Sequence, residues 1–379
     1  MKKHSFEAFW LIYFPVIGAL LVMCAAFFKN QGSFSFFEAI AGSAQSFLVY
    51  FKFKTIIFFA PFLIIFISIT LFFLGQEVLF AFFFEKNMNI RRAAFRECVR
   101  HGRMLVGMCC KILCPLVFIS TAIGVATFWI SHEHIARASA WLMDADRAVF
   151  GLYPTLWFQS TTNAFKSFFD TTAPIFFFTY NFILPMITIT LLLFLFCDGR
   201  RLKVFLLSFV LSTYCAMPIW FFLPAVTPND AFINKDAKVV VMQNDDVKRA
   251  LFHYSPNSKL TDIFITFGNK SAIPSITTFP SMHVAWGFLI AILLFGWRWY
   301  VGLFAFLWKG VNILATVYTM QHYALDALAG ICVALLGYWC ARKIVRRDVV
   351  LFPHSSPTAF LQENIKKAVA ILRVNKKTS

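Results

Sequence analysis

The chain has 379 residues, of which 59% are hydrophobic and only 14% are charged, and its formal net charge is +17. This composition excludes an ordinary soluble globular protein and predicts an all-α integral membrane protein. The basic residues cluster in short loops and in the tail. Their placement favours attraction to anionic lipid headgroups and control of topology, and argues against binding of nucleic acid.

Apolar runs of sufficient length predict about eight transmembrane helices. The runs cover residues 7–28, 55–84, 105–130, 173–196, 204–223, 283–296, 300–318 and 322–341. We expect the first run to be an uncleaved anchor, because no small-x-small cleavage site follows it. The predicted units are an N-terminal two-helix membrane extension with a basic cytoplasmic loop (1–104), a six-helix membrane core (105–348) and a basic cytoplasmic tail (349–379).

The basic residues between these runs alternate as the positive-inside rule requires. They lie in 85–104, at Arg200, Arg201, Lys203 and Arg298, and in 342–347. With the N-terminus inside, all of them are cytoplasmic, and the longer loops face a periplasm or a lumen. We predict a bacterial inner-membrane protein whose functional face is periplasmic.

Two segments carry the candidate chemistry. Phe279–His283 leads into one apolar run, and His322 stands four residues before Asp326 at the head of another. The 39 residues from His283 to His322 suffice for about two membrane crossings, which places both histidines at one surface. Each is expected at a helix N-terminus, where free N–H groups favour an anion such as phosphate. A carboxylate inside a spanning helix is costly unless paired, and His322 is the obvious partner of Asp326.

Four further polar residues are candidate substrate contacts. Tyr318 and Thr316 could each donate a hydrogen bond to phosphate or cap a helix, while Ser281 could do both. Lys270 lies in the outer loop before His283, where it is either a phosphate ligand or a solvated charge.

These segments resemble a known family. Pro280-Ser281-Met282-His283 and His322-x-x-x-Asp326 are similar to the second and third signature motifs of the type 2 phosphatidic acid phosphatase (PAP2) superfamily. The form Thr316-x-Tyr318-x-x-x-His322-Tyr323 resembles its inositolphosphotransferase branch, the inositol phosphorylceramide synthase-like proteins. Two features depart from the phosphatase pattern. Thr316 stands where an arginine is usual, and no Lys-x6-Arg-Pro signature occurs near 222–228.

The resemblance implies a six-helix PAP2-type core and phosphotransfer through histidine. His322, oriented by Asp326, would attack phosphorus to form a phosphohistidine, and His283 would protonate the leaving oxygen. We expect transfer of a phosphate or phospho-headgroup, such as phosphoinositol, from a membrane phospholipid to a lipid hydroxyl at the outer face. The alternative is a lipid phosphatase that acts on phosphatidic acid or a polyprenyl diphosphate, with water as acceptor.

Neither a metal nor a cofactor is expected, because the nine cysteines lack the paired spacing of zinc sites.

Lys309, with Asn312 beside it, falls inside the seventh predicted span and needs a partner, for which Glu77 is a candidate. A lipid transporter would also explain eight spans and this lysine. It would place polar residues along several spans, where they are sparse. Segment 144–157 is predicted to be an interfacial, turn-rich piece that anchors the chain or contacts substrate.

Overall fold

The computed structural model describes residues 9–29, 135–229, 245–255 and 279–347, with isolated positions between 68 and 123. After a π-helical turn at Phe9–Tyr13, the helices are α1 (Phe14–Lys29), α2 (Ile135–Phe150), α3 (Pro154–Phe158), α4 (Lys166–Asn181), α5 (Ile183–Cys197), α6 (Gly199–Phe222), α7 (Asp245–Phe252), α8 (Met282–Trp297), α9 (Trp299–Tyr318) and α10 (Ala324–Arg347). Within the described ranges no β-strand forms, which agrees with the all-α prediction.

Among the described helices, α6, α9 and α10 are long and apolar enough to cross a membrane. α4 and α5 meet at a bend of 45° and together make a fourth candidate span, while α8 is apolar but shorter. These helices fit an integral membrane protein. The count of eight spans stays a prediction, because the run 55–84 and most of the run 105–130 lie outside the described residues. The proposed boundary at 104 and the tail 349–379 lie outside them too.

α8 lies at the centre of the described bundle, where it packs against α5, α6, α9 and α10. Its sequence is apolar on every side, which is the pattern of a buried helix. Val284, Ala285 and Leu289 are fully buried. The most extensive helix contact in the described bundle is between α6 and α10, beside α8. A helix enclosed in this way has little freedom to shift as a whole.

The two ends of the bundle differ in chemistry. At one end, the Arg201 side chain at the start of α6 donates to the carbonyl oxygen of Gly296, near the turn between α8 and α9. At the other end, α8 begins and α9 finishes, so His283 and His322 lie there. The basic turns and the histidines therefore lie at opposite ends. Which end faces the periplasm stays a prediction.

The segment 144–157 differs from its prediction. Residues 144–150 form the last part of α2, which ends where Gly151 takes a positive φ of 71° and its N–H donates to Arg147 O at 2.8 Å. Glycine adopts this left-handed conformation at no steric cost, as at many helix C-termini. The turn-rich interpretation was wrong for 144–150, because alanines and Met143 carry the helix through the acidic residues.

Candidate active site

His283 occupies the first turn of α8. Ser281 caps this helix, since its hydroxyl oxygen accepts a hydrogen bond from Val284 N at 3.3 Å. Ser281 N donates in turn to the backbone oxygen of Asp326 at 3.1 Å. Gly330 lets the two helices come this close, because a Cβ there would lie 2.4 Å from Ser281 O. The start of α8 is thus joined directly to the first turn of α10.

His322 lies in a tight turn between α9 and α10. The backbone N–H groups of Gln321 and His322 both donate to Thr316 O, at 3.1 and 3.2 Å, and Met320 takes a positive φ of 56°. α10 begins only at Ala324, so the expectation that His322 opens this helix was wrong. The chain uses residues 319–323 to reverse direction, which leaves His322 in the turn that precedes the helix.

His322 and Asp326 form a buried pair. The Nδ1 of His322 lies 3.4 Å from Oδ2 of Asp326, and the same oxygen accepts a hydrogen bond from Tyr323 N at 3.1 Å. His322 is 6% exposed and Asp326 is fully buried. With Nδ1 directed at the carboxylate, Nε2 is the ring nitrogen available to a reacting group.

The two imidazole rings lie close together at this end of the bundle. Their ring centroids are 5.9 Å apart, with 52° between the ring planes. Tyr180, from α4, stacks on His283, with 4.8 Å between the ring centroids and 11° between the ring planes. Two imidazoles at this separation can serve one phosphorus centre, one as nucleophile and the other as proton donor.

Three of the predicted contact residues have protein partners of their own. The Tyr318 hydroxyl donates to Asp170 Oδ1 at 3.1 Å, and its ring packs against Phe158 and Phe176. The Thr316 hydroxyl donates to Ile313 O in its own helix at 2.7 Å. Thr316 serves the site through its backbone oxygen, which holds the His322 turn. Ser281 acts as the helix cap described above, and Lys270 lies outside the described residues.

Asp146 is a residue of this region that sequence reasoning missed. Its carboxylate accepts hydrogen bonds from Ala324 N at 3.0 Å and Leu325 N at 2.7 Å, and so caps α10 from α2. Burial raises the pKa of Asp146 to about 6, against the lowering effect of these two N–H donors. The available signal was its place in segment 144–157, but α2 also carries Asp144 and two arginines, so nothing in the sequence singled out Asp146. Nor did the sequence reveal a partner so distant along the chain.

Lys309 is buried in α9 and contacts the backbone of His283. Its Nζ donates to the backbone oxygen of His283 at 3.1 Å and to Oδ1 of Asn312. The suggested partner Glu77 lies outside the described residues.

In the part of the chain that the structure describes, no group of three or more histidines, cysteines and carboxylates is arranged to hold a metal ion.

Comparison with known proteins identifies the family. Residues 140–340 match the family model described as the PAP2 superfamily, which covers both histidines, Asp326 and Asp146. Neither a curated protein nor a solved structure matches the chain. Since the match covers more than half of the sequence and the described helices suit a membrane, this chain belongs to the PAP2 superfamily of lipid phosphatases and phosphotransferases.

Proposed function

We propose that the protein transfers a phosphate or phospho-headgroup from a membrane phospholipid to a lipid hydroxyl through a phosphohistidine at His322. The observation that carries this proposal is the arrangement of His322 between Asp326 and His283. Asp326 contacts one ring nitrogen, so the other is available for attack, and the second imidazole stands 5.9 Å away, centroid to centroid. Such an arrangement suits two successive displacements at one phosphorus atom.

In the first step, Nε2 of His322 attacks phosphorus and the bond between phosphorus and the lipid oxygen breaks. His283 gives its proton to that oxygen, and the Asp326 carboxylate stabilises the positive charge that develops on the His322 ring. In the second step, the acceptor hydroxyl gives its proton to His283 while its oxygen attacks phosphorus. The bond between phosphorus and nitrogen then breaks, and His322 is restored.

Burial of the nucleophile favours an alcohol over water as acceptor. His322 is 6% exposed and Asp326 is not exposed at all. A phosphohistidine in such a position has little contact with bulk water, and in this proposal the lipid hydroxyl would reach it from the membrane side. The resemblance of the pattern from Thr316 to Tyr323 supports phosphoinositol as the transferred headgroup.

The test uses purified protein in mixed micelles with headgroup-labelled phosphatidylinositol and either ceramide or diacylglycerol as acceptor. Phosphatidic acid and a polyprenyl diphosphate are supplied in separate reactions. Products are separated by thin-layer chromatography, and released phosphate is measured. We expect a new labelled lipid that requires both the acceptor and His322. The matched control is His253→Ala, which removes an exposed histidine that the mechanism does not use.

Two other outcomes would redirect the proposal. Release of phosphate that needs His322, without any new lipid, would identify the alternative phosphatase. Full turnover by His322→Ala would refute the phosphohistidine mechanism for both activities. Trapping of an acid-labile, base-stable phosphoenzyme in wild type and not in His322→Ala would establish the intermediate directly.

A further inference from the structure

A buried lysine contacts the backbone of one of the two histidines. Lys309 lies midway along α9, is 1% exposed, and donates to the carbonyl oxygen of His283 and to the side chain of Asn312. Both acceptors are neutral. A lysine at this depth in a membrane protein is costly, so a structural role alone could be met more cheaply by an apolar side chain.

The neighbouring helix leaves room for this side chain. Gly287 lies one turn after His283 on α8, and a Cβ there would stand 2.7 Å from Cδ and 2.8 Å from Nζ of Lys309. Real Cβ atoms do not approach other heavy atoms so closely. A Cβ at residue 287 would therefore displace the Lys309 side chain from the position in which it contacts the His283 carbonyl.

The Lys309–Asn312 pair also contacts α4, the helix that carries Tyr180. Asn312 Nδ2 donates to Thr179 O on α4 at 2.8 Å. The next residue, Tyr180, stacks on the His283 ring. Lys309 and Asn312 therefore connect α8, α9 and α4 around His283, and they act on both its backbone and its aromatic neighbour.

We infer that Lys309, with Asn312, is a positioning residue that holds the His283 imidazole in place to protonate the leaving oxygen. First turns of helices are the places where helices fray, and His283 lies in such a turn. An additional donor on its carbonyl oxygen and a ring stacked on its side chain restrict that movement. The inference rests on the proposed function, in which His283 is the acid.

The test compares donors whose leaving groups differ in whether they need a proton to depart. A lipid alkoxide needs protonation as it leaves, whereas 4-nitrophenolate leaves without it. The donor pairs are phosphatidylinositol with 4-nitrophenyl inositol phosphate, and phosphatidic acid with 4-nitrophenyl phosphate. The first step is measured alone, as the pre-steady-state burst of leaving-group release, because His283 serves the second step with either donor. In Lys309→Met we expect the burst rate for the lipid donor to fall about 10- to 100-fold, with little loss for the nitrophenyl ester.

Matched variants separate the possible causes. His283→Ala should show the same dependence on leaving group, only larger. Lys203→Met removes a lysine that is also buried, 4% exposed, at the opposite end of the bundle, and should lose no activity toward either donor. Equal loss for both donors in Lys309→Met would overturn the positioning role and leave a purely structural one. If His283→Ala itself showed no such dependence, the acid role in the proposed function would fail.

A second measurement needs no turnover. Diethyl pyrocarbonate modifies accessible imidazoles, and mass spectrometry reports the rate at each histidine. We expect the rate at His283 to rise severalfold in Lys309→Met and in Asn312→Leu, while the exposed His253 reacts as in wild type. An unchanged rate at His283 would overturn the inference even if the proposed function held.

Discussion

The cap on α10 makes the stability of the protein depend on pH in a direction that can be tested. Asp146 is 1% exposed and accepts hydrogen bonds from Ala324 N and Leu325 N, next to the turn that carries His322. Desolvation by burial raises its pKa from 3.8 to about 6, which means that burial outweighs the two N–H donors. The perturbation is Asp146→Asn, which removes the titration and keeps one oxygen acceptor.

The magnitude follows from the two pKa values. A rise from 3.8 to about 6 is worth about 3 kcal/mol, since each pKa unit corresponds to about 1.4 kcal/mol. A raised pKa means that the folded chain keeps a proton that the unfolded chain has lost. The stabilisation is therefore complete below pH 3.8 and is lost as the pH rises through about 6. Roughly 2 kcal/mol of it should disappear between about pH 4 and about pH 7.

The assay is the midpoint of thermal unfolding of the purified protein in detergent, measured across this pH range. The midpoint of wild type relative to Asp146→Asn should fall by several degrees as the pH rises, because about 2 kcal/mol shifts a domain of this size by that amount. Asp144→Asn, which changes an exposed carboxylate two residues earlier, is the matched control and should keep the wild-type slope. A wild-type midpoint that rises relative to Asp146→Asn would refute the reasoning, since it would mean that the N–H donors outweigh burial.

Two further substitutions test the packing and the electrostatics of the site. Gly287→Ala places a methyl group against Lys309 and should cost about 1–3 kcal/mol of stability together with a loss of kcat. Gly310→Ala is its control, because a Cβ there meets nothing within 4 Å; equal effects of the two substitutions on the unfolding midpoint would contradict the argument. Asp326→Asn should lower kcat about 100-fold or more with little change in KM, because an amide can hold His322 in the wrong tautomer. Steady-state kinetics of the labelled-lipid reaction measure this, and a kcat near that of wild type would show that the carboxylate does not orient the ring.

Much of the candidate site could be anticipated from local sequence, and the rest could not. The length of the apolar runs between His283 and His322 predicted a helical hairpin, and the structure brings the two rings together at one end of it. The spacing of His322 and Asp326 predicted their contact as well, although a turn rather than a helix supplies it. Their roles in catalysis stay predictions until the variants are assayed.

The sequence by itself determined the membrane class, the helical architecture and the superfamily, because hydrophobic length and short motifs are local properties of a chain. Only the tertiary structure decided which side chains from distant helices complete the site. Asp146 caps a helix 178 residues away, Tyr180 stacks on His283, and Lys309 reaches a backbone carbonyl through the space that Gly287 leaves. These contacts depend on the distance between packed helices and on which partner a buried polar group meets. The periodicity of the sequence encodes neither of them.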